Sequence, residues 1–126
     1  MAFNGKWKIH SQENHEEFLK AMAVPEIFIK MIKGIKPTTT IEQTGDDFTI
    51  LVETPLRTVK NSFTIGKEAE ITAMDGRKFT CTARLEDRKL ICATDKFTHV
   101  RELQGEDMIE NITAASTTLT RISKRV

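Results

Sequence analysis

Three charged residues near the C-terminus fall into one row when the last strands are paired through their turns. A turn centred on Ala115-Ser116 sets Glu110 opposite Arg121, Ile112 opposite Leu119 and Met108 opposite Ser123. A turn centred on Gly105-Glu106 sets Arg101 opposite the same Glu110. Alternation then places Arg101, Glu110 and Arg121 on the face that carries Phe97, His99, Leu103, Ile112 and Leu119, so the row points inward. On the surface such a ladder would add little stability, and it would force those apolar residues into water. Inside, one carboxylate against two guanidinium groups leaves a net positive charge, costly unless water or an anion completes it. An amphipathic molecule with a carboxylate or sulfonate head supplies that anion.

Cys81 and Cys92 form the second chemical pair. A hairpin centred on Glu86-Asp87 predicts them directly opposite one another, on one face with Phe79, Ala83, Leu85 and Leu90. Opposed strand cysteines can be bridged, whereas a reducing compartment keeps them as thiols. A disulfide would stiffen one wall.

Other chemistry is missing. The chain has no Cys-x-x-Cys, His-Glu-x-x-His, P-loop, Gly-x-Ser-x-Gly or dinucleotide-binding glycines. His10, His15 and His99 are scattered, and a lone His99 near Glu110 lacks an activated nucleophile. No enzyme activity, metal or cofactor is expected. Nineteen Lys and Arg against eighteen Asp and Glu leave +1, too even a balance for nucleic-acid binding. No stretch is long and apolar enough for a membrane helix, and Lys6 and Lys8 stand where a secretory leader would be apolar. A cytoplasmic location follows as the expectation.

The elements that must position these groups are mostly strands. The 126 residues, 39% of them hydrophobic, suit a single domain over 1–126. Turn residues recur at Thr44-Gly45-Asp46, Ile65-Gly66-Lys67, Asp75-Gly76, Glu86-Asp87 and Gln104-Gly105-Glu106, separated by Thr-, Ile-, Val- and Phe-rich runs. Phe48-Thr49-Ile50-Leu51-Val52 and Phe79-Thr80-Cys81-Thr82-Ala83-Arg84-Leu85 have strand character. About nine strands follow Lys36, and one more covers Lys6 to His10. Between them lie two short helices: one near 13–22 with Ser11 or Asn14 as cap, and one opened by Pro25 and closed by Gly34. So small a helix pair cannot cover nine strands, which must close into a barrel or a clam-like sandwich. The second helix, Pro25 to Lys33, carries more apolar residues than one buried stripe needs. Some of Ile27, Phe28, Ile29, Met31 and Ile32 should therefore face outward near Lys30, Lys33 and Lys36, as a surface for transient contact with anionic membranes.

The sequence also resembles the intracellular lipid-binding, or fatty-acid-binding, family over essentially its whole length. Gly5-Lys6-Trp7-Lys8-Ile9, Asn14-His15-Glu16-Glu17-Phe18-Leu19, Asn61 to Glu68 and Met74-Asp75-Gly76-Arg77-Lys78 carry the likeness. His15 departs from the family's usual aromatic. Many members hold a carboxylate with two arginines and a tyrosine in an Arg-x-Tyr pair. Here that pair reads Arg121-Ile122-Ser123, and the chain has no tyrosine, which is similar to the liver-type branch. Thr54-Pro55 ahead of Val59-Lys60-Asn61-Ser62-Phe63 looks most like the liver basic type of non-mammalian vertebrates, whose ligands are bile acids. Arg101 stands where that subgroup more often has glutamine, which restores the second arginine of the fatty-acid binders. The resemblance implies an all-β, ten-stranded antiparallel up-and-down β-barrel, or β-clam, with a two-helix lid between its first and second strands. It further implies a monomer carrying bile acids, or alternatively long-chain fatty acids, in a cavity whose family positions match Phe48, Ile50, Phe63, Ile71, Phe79, Phe97, His99, Arg101, Arg121 and Ser123.

Overall fold

The computed structural model describes residues 3–126. Its first strand β1 (Gly5–Glu13) leads into helices α1 (His15–Ala21) and α2 (Glu26–Ile32). The meander follows: β2 (Thr38–Thr44), β3 (Asp47–Glu53), β4 (Thr58–Thr64), β5 (Glu68–Thr72) and β6 (Lys78–Glu86), then β7 (Lys89–Ala93), β8 (Thr98–Gln104), β9 (Asp107–Ala114) and β10 (Thr117–Arg125). All ten strands form one antiparallel sheet, in which β1 also pairs with β10 and so nearly closes the barrel. Among the described residues, β4 and β5 are the one pair of consecutive strands that shares no ladder. Across that seam the Asn61 side chain replaces a peptide group, its Nδ2 donating to the Thr72 carbonyl at 3.0 Å and its Oδ1 accepting from the Thr72 amide at 2.8 Å.

Period-two burial builds the interior. On β6, Phe79, Cys81 and Ala83 are buried while their neighbours face water; on β9, Met108, Glu110, Ile112 and Ala114 are buried. Two apolar clusters result. Phe3, Trp7, Ile41, Phe48, Phe63, Ala83, Leu90 and Met108 fill one end of the barrel. Phe18, Met22, Val24 and Ile29 of the helical region pack with Phe79, Ile112, Ala114 and Leu119.

Helix boundaries follow local chemistry with one difference. Asn14 occupies the cap position of α1, but at φ 62° its side chain makes no cap bond and donates instead to the Thr118 carbonyl of β10. Pro25 precedes α2, and Gly34 at φ 82° turns the chain out of it.

Two registers differ from simple alternation. β1 shifts by one residue against β10 between Ile9 and Ser11, a β-bulge at His10. The β6–β7 hairpin turns at Asp87-Arg88, not Glu86-Asp87, because both central residues adopt the positive φ of a tight two-residue turn, 50° and 65°. Glu86 therefore stays in the ladder opposite Lys89, and Cys92 faces Ala83. The expected direct opposition of Cys81 and Cys92 is corrected to a diagonal.

Candidate ligand-binding site

Inside the barrel lies a cavity of about 250 Å³, bounded by residues of both apolar clusters. Its polar end is one cross-strand row. β8, β9, β10 and the bulged half of β1 set Arg101 beside Glu110, Glu110 beside Arg121, and Arg121 beside Gln12. The first three are the residues that the turn arithmetic aligned. Glu110 is 4% exposed. Its Oε2 accepts from His99 Nε2 at 2.7 Å and lies 3.7 Å from Arg101 Nε, an ion pair too long to be a hydrogen bond. The Nε atoms of Arg101 and Arg121 are buried without a hydrogen-bond partner among the described residues, as is Gln12 Oε1.

Electrostatics within the row are uneven. Burial pushes the Glu110 carboxyl up, but the His99 hydrogen bond and the positive charges around it prevail and hold it well below the usual carboxylate range. Burial, together with the repulsion of Arg101, lowers Arg121, and Glu110 opposes this. Burial and then the Arg101 charge bring His99 down to about 4, with Glu110 pulling the other way. His99 is thus a neutral N–H donor at pH 7.

His99 protonates only near pH 4 when folded but near 6.5 when unfolded. Its contribution to stability is complete above about pH 6.5 and declines as pH falls toward 4, since the unfolded chain binds the extra proton. The full shift is worth on the order of 3 kcal/mol. Glu110 adds a further loss below about pH 4.5, where the unfolded carboxyl protonates. Thermal melts should fall from pH 7 to pH 5, with a shallower fall in His99→Gln; parallel curves for the two proteins would disprove the assignment.

Of the cavity positions expected from sequence, Ile50, Phe63, Ile71, Phe79, Phe97, His99, Arg101, Glu110 and Arg121 line the wall. Phe48 and Ser123 do not. Phe48 is stacked on Phe63 at 5.4 Å within the closed-end packing, and Ser123 is buried opposite Met108, one row deeper than Arg121. Cys92 reaches the wall, while Cys81 lies buried beside it with the two sulfurs 2.8 Å apart.

Four of the polar wall groups that sequence reasoning missed bear on the site. Gln12 and His15 come from β1 and α1, and Asn61 bridges the seam. The fourth is Arg77, whose Nε meets Asp75 at 2.6 Å and whose Nη1 donates to the Met22 carbonyl at the end of α1, also at 2.6 Å. Arg57 donates in turn to the Met74 carbonyl at 3.0 Å. Two arginines therefore tie the β3–β4 turn, the β5–β6 turn and the first helix together at the cavity mouth.

The comparisons with known proteins agree with this geometry. The liver fatty acid-binding protein of Schroederichthys bivius is 54% identical over 126 residues, covering all of both chains. Among solved structures, the zebrafish ileal bile acid-binding protein complexed with cholic acid is 36% identical, covers all of both chains and superposes with a TM-score of 0.87. The fatty acid transporter REP1-NXSQ reaches a TM-score of 0.95 at 32% identity, over 99% of this chain and 96% of its own. The description "Lipocalin / cytosolic fatty-acid binding protein family" matches residues 1–126. With a helix-capped ten-stranded barrel around a charged row, the chain belongs to the lipocalin / cytosolic fatty-acid binding protein family.

Proposed function

We propose that the protein binds and carries amphipathic anionic lipids non-covalently in its cavity, with bile acids as the preferred class. The observation that carries this reading is the pair of half-buried arginines whose buried Nε donors have no hydrogen-bond partner among the described residues, at the polar end of an otherwise mainly apolar cavity. An anionic head satisfies those donors, and the apolar body supplies affinity at roughly 25 cal/mol per Å² of surface removed from water. Support for bile acids comes from the similarity to a protein crystallised with cholic acid. Arg101 beside Arg121 favours the second reading, a long-chain fatty acid held by two guanidinium groups. Calorimetric titration with a bile salt and with oleate tests both, and absence of saturable binding to either removes the proposal. The carrier works as a cytoplasmic monomer without cofactor or metal, and the cavity performs no turnover.

Delivery involves the helix lid. Ile27 is 72% exposed, Met31 54% and Leu56, on the β3–β4 turn, 49%. Phe28 and Ile32 turn to the cavity and Ile29 is buried, so α2 presents an apolar outer edge beside the exposed Lys30, Lys33 and Lys36. This edge docks transiently on anionic membranes. Replacing Lys30 and Lys33 by Glu should slow ligand transfer to anionic vesicles several-fold. Rates indifferent to that change and to salt would mean release through water.

The thiol pair provides a redox response. Cys92 S–H donates to Cys81 Sγ, and this hydrogen bond lowers the Cys81 thiol and raises that of Cys92. In a reducing cytoplasm both remain thiols. Diamide should take up the two thiol hydrogens as a Cys81–Cys92 bond forms, and the stiffened wall should change ligand selectivity. Full alkylation after diamide treatment would show that no bond forms. Unchanged bile-salt titrations on oxidation would remove its functional role.

A further inference from the structure

The bulge at His10 determines which β1 side chain reaches the cavity. Trp7 and Ile9 point inward, so strict alternation would turn Ser11 and Glu13 in and Gln12 out. The one-residue shift reverses this: Ser11 and Glu13 are exposed, and Gln12 lies on the cavity wall opposite Arg121. Bulges commonly re-aim a side chain in this way. Here the result is a buried amide oxygen, Gln12 Oε1, without a hydrogen-bond partner among the described residues.

The unmet groups of the row differ in kind. Arg101 and Arg121 each offer an Nε–H donor, while Gln12 Oε1 is an acceptor. An ionised carboxylate can satisfy the donors but has no hydrogen to give to the acceptor. A plain fatty carboxylate therefore leaves Gln12 unmet, at the cost that accompanies any buried acceptor without a donor. A ligand that also carries a hydroxyl meets both. His15 lines the same cavity from α1. Burial, and then the charge of Arg121, bring its imidazole down to about 4, so at pH 7 it is neutral and offers one donor and one acceptor.

We propose that Gln12, supported by His15, is a hydroxyl-recognising station that makes this cavity prefer hydroxylated anionic amphiphiles over unsubstituted acyl carboxylates. The proposal rests on the reading that Arg101 and Arg121 hold the anionic head. It assigns ligand discrimination to β1 and α1, on the opposite side of Arg121 from Glu110.

The experiment compares matched pairs of probes by calorimetry: cholate against 5β-cholanoate, and 3-hydroxystearate against stearate. The proteins are wild type, Gln12→Leu and, as a closer match in length, Gln12→Met, with thermal melts to establish folding. Each substitution should weaken the hydroxylated member of a pair about five- to tenfold and shift the unsubstituted member by less than about twofold. His15→Phe should act in the same direction with a smaller effect. Equal changes for both members, or none in either folded variant, would overturn the assignment while leaving the anion site intact. A wild type that binds none of the four probes would instead defeat the underlying carrier reading, as would an Arg121→Gln protein that binds all four as well as wild type.

Discussion

Removing the Glu110 carboxylate should destabilise the ligand-free protein by about 3–5 kcal/mol, the range for breaking one side of a buried charged network. Glu110→Ala leaves Arg101 and Arg121 facing the cavity with no counter-charge, and His99 Nε2 without the acceptor it meets at 2.7 Å. Denaturant titration at pH 7 measures the loss directly. Glu110→Gln keeps an acceptor for His99 and separates the two contributions: if it recovers most of the stability, the hydrogen bond matters more than the charge. Replacing Arg101, Glu110 and Arg121 together by Met, Leu and Met should cost little or even stabilise, because well-packed apolar groups avoid the desolvation penalty. That triple variant should have lost its affinity for anions. If Glu110→Ala is as stable as wild type, the row is better hydrated than its burial indicates.

Arg121→Gln should have the largest effect on binding. A charge-assisted hydrogen bond lost from a buried site costs about 1–3 kcal/mol, roughly a five- to 150-fold weakening for bile salts and fatty carboxylates. Neutral analogues of the same ligands, such as methyl esters, should lose less. The empty variant should match or exceed wild-type stability, since burial already disfavours the Arg121 charge and Glu110 then has one fewer cation to balance. Opposite signs for stability and affinity are the signature of a group retained for its ligand. Equal losses for charged and neutral ligands would instead make Arg121 a support for the wall.

What could be read from the sequence divides along the hairpins. Where a turn is marked by glycine or by a small pair, as at Gly105-Glu106 and Ala115-Ser116, the register follows by counting. Arg101, Glu110 and Arg121 stand in the row so obtained. Where the turn residues carry no such mark, counting fails. Arg88 adopts φ 65° with an ordinary side chain, and the cysteines moved from opposed to diagonal positions. Gln12 was hidden for a related reason, since the bulge at His10 leaves no trace in composition and inverts the inside-outside pattern from that point. Phe48 illustrates another gap: alternation places it inward but does not say whether an inward side chain meets cavity or packed core, which depends on the neighbouring Phe3 and Phe63 rings. Arg57 and Arg77 look like surface charges because the bonds by which they tie distant segments together go to backbone carbonyls, which no side-chain pattern announces.

The seam between β4 and β5 bears on self-association. A fully closed barrel has no edge strands, whereas this one keeps two, and an unpaired edge is a template for strand addition from another molecule. The Thr72 amide and carbonyl that an incoming chain would pair with are both occupied by Asn61. Exposed charges at Lys60, Glu68 and Glu70 flank the same seam and oppose the dry stacking on which fibrils depend. Intermolecular β-pairing at Thr72 must therefore begin by breaking two hydrogen bonds that cost the protein a single side chain. Asn61 also lines the cavity, so any ligand passage that spreads the seam strains the bonds that guard against aggregation.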